Sequence, residues 1–395
     1  MIKAATSDRL LMNKNHSLLE VTPHLYPDVV GGIGLNVDSL ATALVGDFDT
    51  TVAANWMGPT SAPTDREYDL KAFPTRLVVF GNPISIRMVA WLMKNIQRFD
   101  LVHSHSHLFL TSTIAVFLAK LKQTPVVLTS HGLISFSQPV LLQRLWIRFV
   151  SSIILPMCDQ VLCFSDADAN QLVTAGVDRA RVVVAPNGID LALFGPTSRN
   201  FSGRLKIVWL GRIVKDKGLQ HLLQGLAQAT DIEGRIDVTI FGEGPLETQL
   251  REFVERKQLG DIVTFQRPVS YRDVPNVLAS HDVLILPSLT EGLPRVAIEA
   301  LATEMPLLSS ALPQLTTSFE DCAVYFPPGD ADGIAGAIRW AEANRAKLKE
   351  LGARGRRLVE RKFAWDNMVQ NRKQLFLNLL ERKGTRNRDA KFGTQ

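Results

Sequence analysis

Two short segments in the second half of the chain carry residue types suited to holding a phosphorylated ligand. In Trp209-Leu-Gly-Arg-Ile-Val-Lys-Asp-Lys-Gly218, an apolar run ends at Gly211, cations follow at Arg212 and Lys217, and Gly218 opens a helical pattern. A helix N-terminus with glycine-permitted close approach attracts anions, and two cations beside it suit a diphosphate. Arg grips phosphate oxygens as a fork, whereas Lys supplies a point charge. The same letters also describe a solvated turn. In Thr290-Glu-Gly-Leu-Pro-Arg-Val-Ala-Ile-Glu299, Pro294 fits the first turn of a helix, where its missing N–H costs nothing. Glu291 and Gly292 then fall in the preceding loop, and the N–H groups of Gly292 and Leu293 can face a ligand. Glu299 reads as an isolated carboxylate among Ala297, Ile298, Ala300 and Leu301. Burying it is costly unless it is hydrogen-bonded, and the paired hydroxyls of a ribose are suitable donors.

The first half offers weaker signals. Gly31-Gly-Ile-Gly-Leu-Asn36 lies between a strand pattern and a helix pattern, so its backbone can approach a ligand closely, though it lacks G-x-G-x-x-G spacing. Thr129-Ser-His-Gly132 ends a strand pattern with His131 at the edge where such sheets bind ligands. His103-Ser-His-Ser-His107 alternates so that its rings share one strand face, but no carboxylate or Cys partner is close in sequence, and we expect no metal there. The pairs Asp47/Asp49, Asp166/Asp168 and Asp330/Asp332 read as helix caps or turn residues. Cys158, Cys163 and Cys322 have neither disulfide-framework nor zinc-site spacing.

The elements that must position these residues alternate. Strand patterns cover Ser17–Val21, Thr50–Ala54, Leu77–Phe80, Leu101–His103, Val126–Thr129, Gln160–Cys163 and Val182–Ala185, with helical patterns such as Asn36–Val45 and His107–Leu121 between them. After a Gly-, Pro- and Ser-rich stretch at Phe194–Gly203 the alternation restarts. Strands at Lys206–Leu210, Asp237–Phe241, Val263–Phe265 and Val283–Pro287 are interleaved with helices at Gly218–Ala229, Pro245–Lys257, Val274–Ala279 and Pro294–Ala302. Such alternation implies α/β architecture: two doubly wound Rossmann-like domains with parallel sheets. The division we expect is a loose extension over 1–16, domains over 17–197 and 203–365, and a closing helix with a basic tail over 366–395.

Together these segments resemble glycosyltransferase family 4, retaining GT-B enzymes that use nucleotide-sugar donors. The likeness rests on the Gly31-Gly32 loop, Ser130-His-Gly132, Ala185-Pro-Asn-Gly-Ile-Asp190, Gly211-Arg212 with Lys217-Gly218, Phe241-Gly-Glu-Gly244, Pro287-Ser288, Glu291-x7-Glu299 and Phe363-Ala-Trp-Asp366. It implies a GT-B fold whose C-terminal helix crosses back to the N-terminal domain. It also implies roles: Arg212 and Lys217 hold the donor diphosphate with help from Gly31 and Gly32. Glu299 takes the ribose, and Glu291 with the Gly292 and Leu293 amides takes the sugar. His131 lies beside the anomeric centre, Asn187 shapes the acceptor side, and backbone near Gly242, Glu243 and Gly244 and near Arg267–Ser270 is expected to read the base. The implied reaction moves a hexose from a UDP-, GDP- or ADP-sugar to a glycan or lipid-linked acceptor in polysaccharide or glycolipid synthesis. The donor is a co-substrate, and no cofactor or metal is required. Front-face transfer and double displacement both remain open. One departure from the family pattern is Ser309-Ser-Ala-Leu-Pro-Gln-Leu315, which lacks a glycine pair and has Gln314 where Glu is usual. The competing readings are a GT-B sugar-nucleotide epimerase and a non-catalytic, sugar-nucleotide-binding partner of an active transferase.

Charge bears on partners and location. The 395 residues carry 44 Lys+Arg against 39 Asp+Glu, and 46% are hydrophobic. From Arg345 to Gln395 there are 15 basic and 5 acidic residues, so the rest is net acidic. A nucleic-acid partner would call for cations spread over a folded face, and none is expected. No signal-peptide pattern opens the chain and the longest apolar stretch, Phe149–Cys158, is too short to span a bilayer, so a cytoplasmic protein is expected. Leu141–Leu155 sets Arg144, Trp146 and Arg148 among Leu, Ile and Phe. That pattern fits either a packed helix with snorkelling arginines or peripheral association with an anionic membrane, which the basic tail would favour.

Overall fold

A computed structural model describes residues 16–28, 32–58, 62–79, 81–131, 141 and 145–392. The chain divides into two compact units. The first comprises the described residues up to Phe164, Asp168–Ala185 and the chain from Val369; the second comprises Ser165–Ala167 and Pro186–Met368.

The first unit is built on seven strands: β1 (His16–Thr22), β2 (Phe48–Trp56), β3 (Asp69–Pro74), β4 (Leu101–His105), β5 (Val126–Thr129), β6 (Gln160–Cys163) and β7 (Val182–Val184). All pair in parallel, in the order β3-β2-β1-β4-β5-β6-β7. Side chains alternate across the sheet. Leu19, Val21, Val102, Val126 and Leu128 point to one face, where Met88 and Leu92 of α2 (Ile86–Asn95) and Ala115, Val116 and Ala119 of α3 (Leu110–Leu121) cover them. On the opposite face, Val52 and Ala54 meet Val37 and Ala41 of α1 (Gly32–Leu44). The helical run at 145–157 contains a wide turn at Ile147–Ser151 before α4 (Ser152–Met157), and α5 is Asp166–Thr174.

Two expectations change here. The strand predicted at Leu77–Phe80 is only a two-residue pairing of Val78–Val79 with Asn82–Pro83, outside the large sheet, and Phe80 lies outside the described residues. The sheet edge belongs instead to β3, whose Asp69 and Lys71 dilute the apolar pattern; an edge strand with one wet side tolerates both, and Pro74 at its end. The helix predicted from Asn36 starts at Gly32, so Gly34 and Asn36 lie inside α1.

The second unit repeats the arrangement with β8 (Leu205–Leu210), β9 (Ile236–Phe241), β10 (Val263–Gln266), β11 (Val283–Leu286), β12 (Leu307–Ser310) and β13 (Ala323–Phe326), ordered β10-β9-β8-β11-β12-β13. This is the doubly wound order whose reversal point lies beside the first strand, here β8. Helix α6 (Leu219–Gln228) buries Leu219, Leu222, Leu223 and Leu226, an i, i+3, i+4, i+7 stripe. The remaining helices are α7 (Glu247–Arg256), α8 (Val274–Ala279), α9 (Arg295–Ala302), α10 (Pro313–Phe319), α11 (Ala331–Ala343) and α12 (Arg345–Lys362). The last helix, α13 (Trp365–Phe392), starts in the second unit and continues in the first, where Phe376 packs edge-on to Phe48 and His103.

The contacts also assign residues 186–203 to the second unit, so the division comes at Ala185/Pro186 rather than within Phe194–Gly203. Ile189 donates its N–H to the Phe363 carbonyl at 2.7 Å and accepts from the Trp365 N–H at 3.0 Å, while Arg356 donates to the Phe194 carbonyl. A composition shift marks a loop, but hydrogen bonds decide which body the loop belongs to.

Candidate functional site

In the second unit, the loop after β8 lies against the ends of two neighbouring strands. The Gly211 N–H donates to the Phe241 carbonyl at 3.0 Å and the Ile213 N–H to the Glu243 carbonyl at 2.8 Å. A Cβ on Gly242 would lie 1.9 Å from the Gly211 carbonyl oxygen, so only glycine allows this approach. Gly242 and Glu243 thus brace the Arg212 loop, and the Gly242 N–H is used by the Gln266 carbonyl. Arg212 itself is exposed, and its guanidinium makes no hydrogen bond or ion pair among the described residues.

Gly218 has φ 67° and caps the short turn Lys215–Lys217 before α6. A Cβ there would sit 1.8 Å from the Pro287 carbonyl oxygen. The turn therefore presses onto the end of β11, and the Leu289 N–H donates to the Asp216 carbonyl at 2.7 Å. That approach brings Lys217 Nζ to 2.6 Å from Glu291 Oε1. Ser288 Oγ donates to the same oxygen at 2.7 Å, and Gln314 Nε2 donates to the Glu291 carbonyl at 2.6 Å. Gln314, the departure from the family pattern, is thus a clamp on the Glu291 loop. Glu291 Oε2 accepts no hydrogen bond, and the Gly292 and Leu293 amides donate to no acceptor, among the described residues. Pro294 stands at the N-cap of α9, one residue before its first turn.

Glu299 is buried on α9, but it is not isolated as its apolar neighbours suggested. Arg295 Nε donates to Glu299 Oε1 at 3.0 Å, and Arg295 Nη2 donates to the Tyr271 hydroxyl at 2.6 Å with the guanidinium 4.9 Å from that ring's centre. Burial raises the Glu299 pKa above the ordinary carboxylate value, opposed by the charge and hydrogen bond of Arg295. Burial, then the Glu299 charge, pushes the Tyr271 phenol up to about 12. Sequence reasoning passed over Arg295 and Tyr271; the i, i+4 spacing of Arg295 and Glu299 was the available signal.

In the first unit, His131 follows β5 and is half-buried, edge-on to Phe164 at 5.1 Å. Its Nε2 lies 3.3 Å from His105 Nδ1. Burial, with His105, His103 and Arg372 adding to it, takes the His131 pKa well below the usual histidine value. The strands also supply the carboxylate that sequence proximity did not. Glu20 on β1 sits in register with His103 on β4, on the same sheet face, and Glu20 Oε2 is 2.8 Å from both His103 Nδ1 and His105 Nε2. These three groups meet the spacing of metal ligands. His107 is fully buried, and its ring nitrogens have no partner among the described residues.

The other expected site residues are placed as follows. Gly32 opens α1 with open space around its Cα, and Gly31 lies outside the described residues. Asn187 is half-buried, engaged with neighbours, and belongs to the second unit. Lys217, Glu291 and Gln314 are thus brought together, as are Glu299, Arg295 and Tyr271, while His131 and Gly32 belong to the first unit. Of the paired aspartates, Asp330 caps α11 through the Asp332 N–H, and Asp47 pairs with Lys373.

Residues 30–193 match the model of glycosyltransferase family 4, and residues 196–358 that of glycosyl transferases group 1. The MMP alpha-(1->4)-mannosyltransferase of Mycolicibacterium hassiacum is 28% identical over 69% of this chain and 68% of its own length. The glycogen synthase of Mycobacterium tuberculosis is 25% identical over 91% of this chain and 94% of its own. The D-inositol 3-phosphate glycosyltransferase of Paenarthrobacter aurescens is 28% identical over 57% of this chain, and the match spans only 59% of that enzyme. Among solved structures, sucrose-phosphate synthase from Thermosynechococcus elongatus superposes with a TM-score of 0.78 at 19% identity, over 93% of this chain and 100% of that one. Anabaena HepE in complex with UDP and glucose gives 0.75 at 16%, over 91% and 99%. The chain is a GT-B glycosyltransferase and belongs to glycosyltransferase family 4.

Proposed function

We propose that this enzyme moves a hexose from a UDP-, GDP- or ADP-sugar to a glycan or lipid-linked acceptor, with retention and without a metal. The observation that carries the reading is the 2.6 Å contact of Lys217 with Glu291, beside the two unengaged amides of Gly292 and Leu293. Lys217 has three N–H bonds and gives one to Glu291, so two remain for phosphate oxygens. Glu291 keeps Oε2 for a sugar hydroxyl. Departure of a nucleoside diphosphate builds negative charge, and Arg212, Lys217 and the N-terminus of α6 stabilise it without reorganisation. In front-face transfer the departing phosphate takes the acceptor's proton. That the solved complexes of HepE hold UDP and UDP-glucose supports UDP among the donors to try first.

A thermal-shift panel of UDP, GDP, ADP and their sugars tests donor binding. A ligand at 100 times its dissociation constant adds about 2.7 kcal/mol of stability, and no shift with any of them overturns the reading. Transfer that persists in EDTA supports metal independence; loss restored by a divalent ion refutes it. Retention is read from the anomeric configuration of the product.

We also propose peripheral attachment to anionic membranes through the first unit. No helix among the described residues is long and apolar enough to cross a membrane. Yet Leu145, Phe149 and Ile153 recur at four-residue intervals with exposures of 45%, 59% and 61%. On α3, Phe117 and Leu121 are exposed as well, and on α2, Ile86 and Met93. Arg87, Lys94, Lys122 and Arg148 stand exposed among them, and these three helical segments contain no acidic residue. An apolar face rimmed with cations suits an anionic headgroup layer. Co-sedimentation with phosphatidylglycerol vesicles should fall at least tenfold in Phe149→Ser/Ile153→Ser; no binding of the parent protein at low salt removes the proposal. Arg144 and the tail side chains beyond Lys383 lie outside what the structure describes.

A further inference from the structure

The face of the first sheet that carries Glu20, His103, His105 and Thr129 holds a hydrogen-bonded chain that the transfer reaction as described does not use. Glu20 and His103 are completely buried, His105 and Thr129 are 1% exposed, and Arg372 of α13 is 3% exposed. Arg372 Nη1 lies 3.2 Å from Thr129 Oγ1, which lies 2.7 Å from His103 Nε2. His103 Nδ1 and His105 Nε2 reach Glu20, and His105 Nδ1 reaches His131 Nε2.

The proton positions follow from donors and acceptors alone. An ionised Glu20 can only accept, so His103 carries a proton on Nδ1 and His105 carries one on Nε2. A neutral His103 then presents Nε2 as a lone pair, and Thr129 Oγ, which accepts from Arg372, gives its own proton to it. Arg372 and Glu20 already cancel in charge. A second proton on His105 would leave a net positive charge buried, which is costly. His105 is therefore neutral, its Nδ1 is a lone pair, and the proton in the contact with His131 belongs to His131 Nε2. Burial would raise the Glu20 carboxyl, but the hydrogen-bonded His103 and His105 outweigh it and hold it at about 2, in keeping with an ionised acceptor. The same balance argues against a divalent ion among Glu20, His103 and His105, because Arg372 already supplies the compensating charge and both ring nitrogens facing Glu20 are protonated.

We infer that Glu20 and His105 are positioning residues that hold His131 as a neutral ring with its proton on Nε2, so that Nδ1 is presented as a hydrogen-bond acceptor for a hydroxyl of the sugar or acceptor. The placement of a ligand at His131 rests on the proposed transferase reading; the tautomer itself does not.

The test is the long-range ¹H–¹⁵N spectrum of the full chain with labelled histidine at pH 7.5. In the parent protein His131 should be protonated at Nε2. In His105→Phe, which removes the acceptor for Nε2–H, His131 should lose that preference and show a mixture of tautomers. Thr129→Val disturbs the other arm and should leave His131 unchanged. The inference is overturned by an Nδ1–H His131 in the parent, by an unchanged His131 in His105→Phe, by an equal change in Thr129→Val, or by a stoichiometric metal on Glu20, His103 and His105. Should His105→Phe not fold, the parent spectrum decides. A transfer assay of folded His105→Phe should show kcat reduced at least tenfold with donor KM little changed. An inactive parent protein would refute the transferase reading alone and leave the tautomer result standing.

Discussion

At the level of single residues, the second-unit site depends on charges whose partners are set by backbone geometry. Lys217 is held by Glu291 at 2.6 Å, so its ammonium is pre-positioned rather than searching from a flexible stem. Lys217→Ala should lower kcat by roughly 10²–10³, the cost of losing one positioned donor to developing negative charge. Its stability in urea should fall less than that of Arg295→Ala, because Lys217 is 31% exposed and Ser288 still donates to the Glu291 carboxylate it leaves behind. Activity within twofold of the parent would sink the phosphate role. Arg295 should behave oppositely. Its loss leaves the Glu299 carboxylate buried without its ion-pair partner, so Arg295→Ala should cost about 1–3 kcal/mol in a urea titration. Arg212, Lys217, Glu291 and Glu299 could be read from residue type and spacing. Gln314 stood out only as a departure from a pattern, and the structure gives it a partner in the Glu291 carbonyl.

At the level of elements, two close contacts decide where these residues lie. The turn at Gly218 sits against the end of β11, and its positive φ and the 1.8 Å that a Cβ would leave to the Pro287 oxygen both exclude other residues. Gly218→Ala should destabilise the protein by more than about 1 kcal/mol and separate Lys217 from Glu291, seen as reduced urea stability together with weaker nucleotide binding. The second contact is α13 on the first sheet. Phe376 is fully buried between Phe48 and His103. Phe376→Ala should cost about 3–5 kcal/mol, the usual loss for a large core aromatic, measured by denaturant unfolding. Periodicity revealed most of the strands and helices because apolar alternation follows their geometry. It missed β3, whose charged residues face water at a sheet edge, and the four-residue strands β12 and β13.

For the whole molecule, several buried histidines set the response to acid. Burial lowers the pKa of His107 to about 4 and is also the largest cause of the shift of His103 to about 4. Unfolded histidine titrates near 6.5, so between pH 6.5 and 4 the unfolded chain binds more protons than the folded one. The stability these rings contribute is complete above pH 6.5 and declines as pH falls toward 4. Glu20, held at about 2, acts in the same direction lower down: its contribution is present above about 4.5 and is lost as pH falls through 2. Urea titrations at pH 7.5, 6, 5 and 4.5 should show the unfolding free energy falling by roughly 2–3 kcal/mol for the His107 ring alone. A flat profile across that range would mean that these rings are not held neutral.

The amino-acid order alone specifies the alternation of strands and helices, the doubly wound class, and the residue types able to hold a nucleoside diphosphate and sugar hydroxyls. These are local properties: side-chain period, turn chemistry and charge at a helix start are encoded within a few residues. Which partners those residues have is set by the tertiary fold. Glu20 and His103 are 83 positions apart and meet because β1 and β4 pair in parallel at that register. Lys217 and Glu291 are 74 apart and meet because a glycine lets one turn lie on another strand's end. Arg372 reaches Thr129 across 243 positions because the last helix packs on the first sheet. Strand register and close backbone approach arise from the packing of the whole chain, and no local pattern specifies which distant residue will fill the neighbouring position.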